Sequence, residues 1–209
     1  MDNATRSERS RAAAIQAALA IIARDGPGRL TLDAIARESG ISKGGVMHHF
    51  RTKEAVVKAL LEHLTERFGK FTQDYLAEIG PDRPGAFLEA QIATLRESIA
   101  TPHSAFFAIL GAVAENPDLL SINREAEAEA LEAVKAEAAD PELAVLRWMA
   151  ARGLHITTLL GTCPLSAEER DRLFDRLIDD ARSPALAKTA KPTSTRPSRG
   201  RSGAVKKTD

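Results

Sequence analysis

Apolar residues along this chain recur at spacings of three and four, strict alternation is absent, and β-branched residues are scattered, so the pattern predicts helices and no sheet. A first helix over residues 10–24 carries Ile15, Ala18, Leu19 and Ile22 on one face, with Gly26 as its stop. After the turn Gly26-Pro27-Gly28, Thr31 is placed to cap a short helix through Ser39 whose apolar face is Leu32, Ile35 and Ala36, and Gly40 ends it. Ser42 caps a second short helix through His49. Thr52 caps a longer one whose buried side uses Val56, Leu60, Leu64, Phe68, Phe71 and Tyr75. Beyond Gly80, proline and capping patterns at Pro84, Pro102, Asn116-Pro117-Asp118, Asp140-Pro141-Glu142 and Ser166 with Glu169 predict five more helices, near 84–100, 102–114, 117–138, 141–161 and 166–182. The expectation is an all-α chain of about nine helices.

Charge changes the picture more than composition does. The chain of 209 residues holds 29 Lys plus Arg and 29 Asp plus Glu, a formal net charge of zero. Residues 1–53 carry nine basic and five acidic side chains (+4), residues 54–182 thirteen and twenty-three (−10), and residues 183–209 seven and one (+6). The total hides a basic head and a basic end around an acidic body. From Ser183 onward Pro, Ser, Thr, Lys, Arg and Gly replace the large apolar residues, which predicts a disordered tail that either adds non-specific phosphate affinity or does nothing measurable. A single cysteine, Cys163, excludes an internal disulfide framework and a cysteine-based zinc site. The first residues lack the apolar core of a signal segment and no uncharged apolar run approaches roughly 20 residues, so the expectation is a cytoplasmic protein with no membrane segment.

Residues 31–53 have the layout of a helix-turn-helix. Leu32, Ile35 and Ala36 must meet Ile41, Val46 and Phe50, and Gly40 supplies a left-handed turn residue at which a β-carbon would be strained. The second helix then presents Ser42, Lys43, Gly44 and Gly45 outward, the face a recognition helix brings to a major groove, and the two glycines permit close approach.

At these positions the chain resembles the TetR family of bacterial transcriptional regulators. The resemblance spans residues 10–60 and is specific over 31–54, where Thr31, Ile35, Ala36, Gly40, Ser42, Lys43, Phe50, Lys53 and Glu54 stand at the family's spacing. It implies a three-helix DNA-binding domain over residues 1–53 and a helical ligand-binding and dimerisation domain over 54–182. Thr31, His49 and Lys53 match positions that hold DNA phosphates in the family, and a hydroxyl, a ring donor and a cation all suit that task. Lys43 can reach guanine O6 and N7 as a base contact. Met47 stands where the family places a phosphate-holding tyrosine, and Gly45 where a small side chain touches a base. Both departures shift direct readout onto Lys43, His48 and the N-terminal arginines. The implied function is a ligand-responsive repressor that binds a palindromic operator in double-stranded DNA as a homodimer and answers to a small-molecule effector, without a cofactor. The alternative is a constitutive DNA-binding regulator whose C-terminal half only dimerises or binds a protein partner.

Other residues carry competing readings. His48 and His49 point about 100° apart on a helix and so do not form an i, i+4 metal pair. His103, Phe106, Phe107, Trp148, Met149 and His155 are either, as a group, the lining of the apolar effector pocket that the resemblance implies, with Phe107, Trp148 and His155 foremost, or ordinary core. Glu125, Glu127, Glu129, Glu132 and Glu137 read as a solvated acidic face. The stripes Leu143, Leu146, Ala150, Leu154, Thr157 and Leu173, Leu177, Ala181 would, by the resemblance, join two subunits in a four-helix bundle, with an intrachain core as the alternative. No metal triad, phosphate loop or nucleophile with a positioned base is visible, which argues against an enzyme.

Overall fold

The computed structural model describes residues 3–100 and 103–182. The expected tail at 183–209 and the Pro102 helix start lie outside the described residues. Among the described residues there are nine α-helices and no strand: α1 (Asn3–Asp25), α2 (Leu32–Ser39), α3 (Lys43–His49), α4 (Lys53–Ile79), α5 (Ala86–Ser98), α6 (His103–Glu115), α7 (Ser121–Glu137), α8 (Pro141–Leu159) and α9 (Ala167–Arg182). The all-α expectation holds, and the capping chemistry explains most boundaries. The side chains of Thr31, Ser42, Thr52 and Asp140 accept the backbone N–H of Ala34, Gly45, Ala55 and Leu143 at 3.0 to 3.2 Å. Ser166 and Glu169 form the reciprocal capping box. Gly40 takes φ 69° between α2 and α3.

Three boundaries differ from the pattern. First, α1 begins at Asn3, because Ser10 does not cap: its hydroxyl donates to the Ser7 carbonyl inside a helix that no Gly or Pro interrupts. Second, the helix expected over 117–138 is split into a 3-10 turn, Pro117–Leu120, and α7. Asn116 accepts the Asp118 N–H, and the Ser121 hydroxyl returns to the Asp118 carbonyl. Third, α5 starts at Ala86 after Gly85, which has φ 78°; a β-carbon there would collide with the Ala181 carbonyl oxygen. The carboxylate of Glu137 accepts the Phe87 N–H and satisfies the first turn of α5. Glu137 therefore leaves the solvated acidic face expected of α7, whereas Glu127 stays exposed on it while pairing with Arg152.

Two apolar cores follow. The first joins Ile15, Ala18 and Ile22 of α1 to Ile35, Val46 and Phe50, and takes in Val56, Val57 and Leu60 of α4 and Ala105, Ala108 and Ala112 of α6. The second joins Leu88 and Ile92 of α5, Val134 of α7, Ala144, Trp148 and Ala151 of α8, and Phe174, Ile178 and Ala181 of α9. At 27 residues, about 40 Å, α4 runs from the first core alongside the second. Of the expected stripes, Leu146, Ala150 and Leu173 are exposed, Leu143 and Thr157 are partly buried, and Leu154, Leu177 and Ala181 belong to the second core of the chain itself. Ala144, Trp148, Ala151 and Leu159 point inward, whereas Leu146, Met149, Ile156 and Leu160 are exposed, and Leu173 is exposed on α9.

Candidate nucleic-acid interface and ligand cavity

Helix α3 is a seven-residue segment with two glycines, so tertiary packing must hold it. Val46 is fully buried and Phe50 nearly so, which turns one face of α3 onto α1 and α2. At 100° per residue, Lys43, Met47, Gly44 and His48 then share an outward arc of about 140°, and all four are exposed. Ser42 is exposed at its cap. Gly45 differs from expectation: it is half-buried, and a β-carbon there would lie 2.7 Å from Ile41 Cγ2 and 3.3 Å from Ser42 Oγ. It answers to packing against the turn, whereas Gly44 has open space where its side chain would be.

The polar groups sort by engagement. Lys43 Nζ lies 2.9 Å from Asp33 Oδ1, and both side chains are more than half exposed, so the pair is weak and exchangeable for a stronger acceptor. His49 is half-buried, with Nε2 2.7 Å from Ser10 Oγ. Burial, then His48 and Arg11, hold its pKa below the ordinary histidine value, so it is neutral at pH 7 and fastens α3 to α1. That contact adds an internal role to the phosphate role expected of it. Thr31 uses its oxygen as a cap, which leaves its hydroxyl proton for an outside acceptor. Lys53 is exposed at the first residue of α4. Of the N-terminal arginines, Arg11 lies over the Phe50 ring and 3.5 Å from Glu62, while Arg6 and Arg9 are exposed.

A cavity of about 400 Å³ opens between α4, α5, α6, α7 and α8. Leu61, Leu64, Phe68, Leu95, Ile109 and Leu159 give it apolar walls; Thr65, Thr72, Gln91, Thr94, Ser98, Glu127, Arg152 and His155 add polar groups. Of the three foremost candidates, only His155 lines it. Trp148 is 4% exposed in the second core, and Phe107, 46% exposed, faces a separate crevice of about 220 Å³ beside Lys53 and Val57. The neighbouring Phe106 faces the cavity instead, because successive helical residues diverge by about 100°. The missed signal was the recurrence of hydroxyls (Thr65, Thr72, Thr94, Ser98) on helix faces otherwise apolar.

Burial, with a smaller contribution from Arg152, pushes the His155 pKa down to about 4. An unfolded histidine takes up a proton below about pH 6.5, so the unfolded chain binds more protons than the folded one from there down to about pH 4. Stability should therefore fall as the pH drops through that window. Between pH 7 and pH 5 the loss should be of order 1 kcal/mol for a partly solvated ring. Urea titrations at both pH values should show a smaller acid loss for His155→Gln than for the parent; equal losses would remove His155 as the cause.

No helix among the described residues is long and apolar enough to cross a membrane. Among the same residues, no group of three or more His, Cys, Asp or Glu is gathered for a metal ion.

Two family models match the chain: "Bacterial regulatory proteins, tetR family" over residues 14–60, and "Tetracyclin repressor-like, C-terminal domain" over residues 85–182. The HTH-type transcriptional regulator SrpR of Pseudomonas putida is 31% identical over 104 residues, 50% of this chain and 46% of SrpR, so the match spans less than half of that relative. The HTH-type transcriptional regulator TtgW, also of Pseudomonas putida, is 30% identical over 104 residues, 50% of this chain and 73% of TtgW. A solved TetR-family member from Streptomyces coelicolor A3 superposes with a TM-score of 0.56 at 23% identity, over 81% of this chain and 98% of that one. The multidrug binding protein EbrR, solved with ethidium, gives 0.56 at 23% identity over 81% of this chain and 98% of EbrR. At such identities the solved structures show a shared fold.

Proposed function

This chain belongs to the TetR family of bacterial regulatory proteins, and from that premise we propose that it is a ligand-responsive repressor that binds a palindromic operator as a homodimer. One observation carries the reading: α4 begins with Lys53 beside the recognition helix and continues into the cavity wall as Leu61, Leu64, Phe68 and Thr72. A molecule that fills the cavity bears on the helix that carries the DNA-binding head. By linkage, a ligand that weakens operator binding binds less tightly to the DNA-bound form. The EbrR complex with ethidium supports small-molecule binding in a relative of the same fold. Lys43 reads base edges, Ser42, Gly44 and His48 flank it on the approaching face, and Thr31, His49 and Lys53 hold phosphates. Gly45 contributes by letting α3 seat against its turn. The exposed apolar stripe of α8, with Leu173 of α9, joins the two copies.

The test is selection of bound fragments from genomic DNA by the purified protein, followed by affinity measurements on the selected site. Lys43→Ala should relax base preference, whereas Lys53→Ala should weaken all sequences alike and lower the slope of log affinity against log salt by about one. No preference for any fragment over bulk DNA would overturn the reading, and identical behaviour of the two variants would overturn the division of roles.

A further inference from the structure

The polar groups of the cavity are of four kinds, a charged pair, the His155 ring, the Gln91 amide and a set of hydroxyls, and together they restrict what fits. The two formal charges, Arg152 on α8 and Glu127 on α7, are bonded to each other, and Arg152 also lies 5.0 Å from the centre of the Trp148 ring. The Arg152 and Glu127 side chains are 36% and 46% exposed, so the pair is modest in strength, but an ionised ligand still meets a charge already matched and gains from it only by displacing the partner, while the rest of its surface faces hydrocarbon. His155 is the third titratable group; its burial keeps it uncharged at neutral pH, so that, like the Gln91 amide, it offers both a donor and an acceptor without a charge.

The hydroxyls restrict the ligand further. Each has one proton, and those of Ser98, Thr94 and Thr72 are committed to carbonyls of their own helices: Leu95 at 2.7 Å, Ala90 at 2.8 Å and Phe68 at 3.0 Å. Thr72 and Thr94 also lie 2.7 Å apart, so a proton not given to a carbonyl is shared between them. What these groups have left to offer is oxygen lone pairs. The surrounding walls are hydrocarbon.

We propose that the cavity takes an uncharged, largely apolar molecule that brings a hydrogen-bond donor to the hydroxyl cluster, of the phenol or alcohol class, and discriminates against carboxylates and ammonium ions of the same shape. This rests on the reading of the cavity as the effector site. A space of about 400 Å³ is within the usual range for small-molecule pockets.

Calorimetric titration of the full chain at pH 7 with four matched probes tests it: 4-hydroxybiphenyl, 4-methoxybiphenyl, biphenyl-4-carboxylate and 4-(aminomethyl)biphenyl. The phenol should bind about tenfold more tightly than each of the others, the worth of one well-made hydrogen bond. Glu127→Gln, which releases Arg152, should move the preference toward the carboxylate; Arg152→Gln should move it toward the ammonium. A parent protein that prefers either ion, or that binds the methyl ether as well as the phenol, overturns the inference and leaves the cavity reading in place. Gly69→Phe should abolish binding, since a β-carbon at Gly69 meets nothing within 4 Å and the ring can occupy the space. Ala130→Phe blocks from α7, so a folding failure of one variant leaves the other. Probe binding that survives both, or no binding of any probe by the parent, overturns the cavity reading and the inference together.

Discussion

Glutamate at both Leu146 and Met149 is expected to leave the protein monomeric and to weaken operator binding by roughly 100-fold or more. These side chains are 66% and 53% exposed and continue along α8 to Ile156 and Leu160 at 39% and 38%, an apolar line at helical spacing that no other described element of the protomer covers. Between them a β-carbon at Gly153 would meet no atom within 4 Å, so another helix has room to approach. Burying a leucine or methionine contributes about 1.5–3 kcal/mol, and a two-fold axis doubles each contribution. Four carboxylates facing one another there would be repulsive. The consequence for DNA follows from tethering: once one head binds, the other sees its half-site at an effective concentration near the millimolar range, and a monomer loses that gain. Sedimentation equilibrium reads the mass and fluorescence anisotropy the affinity. Because both positions are exposed in the protomer, helical content should change little. A variant that remains dimeric at micromolar concentration with undiminished affinity would place the interface elsewhere.

The helix-turn-helix was legible because its determinants are local. Thr31, Ser42 and Thr52 each meet an N–H three residues ahead, and Gly40 adopts its left-handed conformation without reference to distant parts of the chain. The cavity was not legible, because it exists only where α4, α5, α6, α7 and α8 come together, and residue size points to core as readily as to a pocket. Trp148 and Phe107 have the bulk of pocket residues, yet one fills the second core and the other turns to a different crevice. The distribution of charge was readable as segment totals but not as pairs, since Lys43 with Asp33 and Arg152 with Glu127 depend on how helices lie together. Glu89 stands amid Phe87, Leu88 and Ala90, and its burial is not marked by any local pattern. Its partners, 14 residues before it at Tyr75 and six before it at Arg83, could not be named without the fold.

Glu89→Ala is expected to destabilise the protein by about 3 kcal/mol, the lower part of the range for breaking a buried ion pair from one side. Glu89 is fully buried, accepts the Tyr75 hydroxyl at 3.0 Å and pairs with Arg83, whose side chain is 33% exposed. Removing the carboxylate leaves the tyrosine hydroxyl without this acceptor and the guanidinium without its charge partner. The access of Arg83 to water is why the lower part of the range applies. Glu89→Gln keeps the shape and one acceptor oxygen, so it should cost less, about 1–2 kcal/mol. Replacing the group as a unit, by Tyr75→Phe, Arg83→Met and Glu89→Leu together, removes the polar side-chain atoms of all three residues and should restore most of the parent stability. Urea unfolding of the four proteins gives the order: parent and triple variant highest, Glu89→Gln between, Glu89→Ala lowest. The triple variant separates two accounts that Glu89→Ala alone cannot. If it is as unstable as Glu89→Ala, the cluster contributes through its charges; if it recovers, the cost of the single change was the polar groups it left behind. Because Tyr75 lies on α4 and Glu89 on α5, a recovered triple variant also tests whether this polar cluster matters to the proposed ligand switch. With stability restored, a change in any ligand dependence of operator binding would belong to the lost contact between α4 and α5 and not to unfolding.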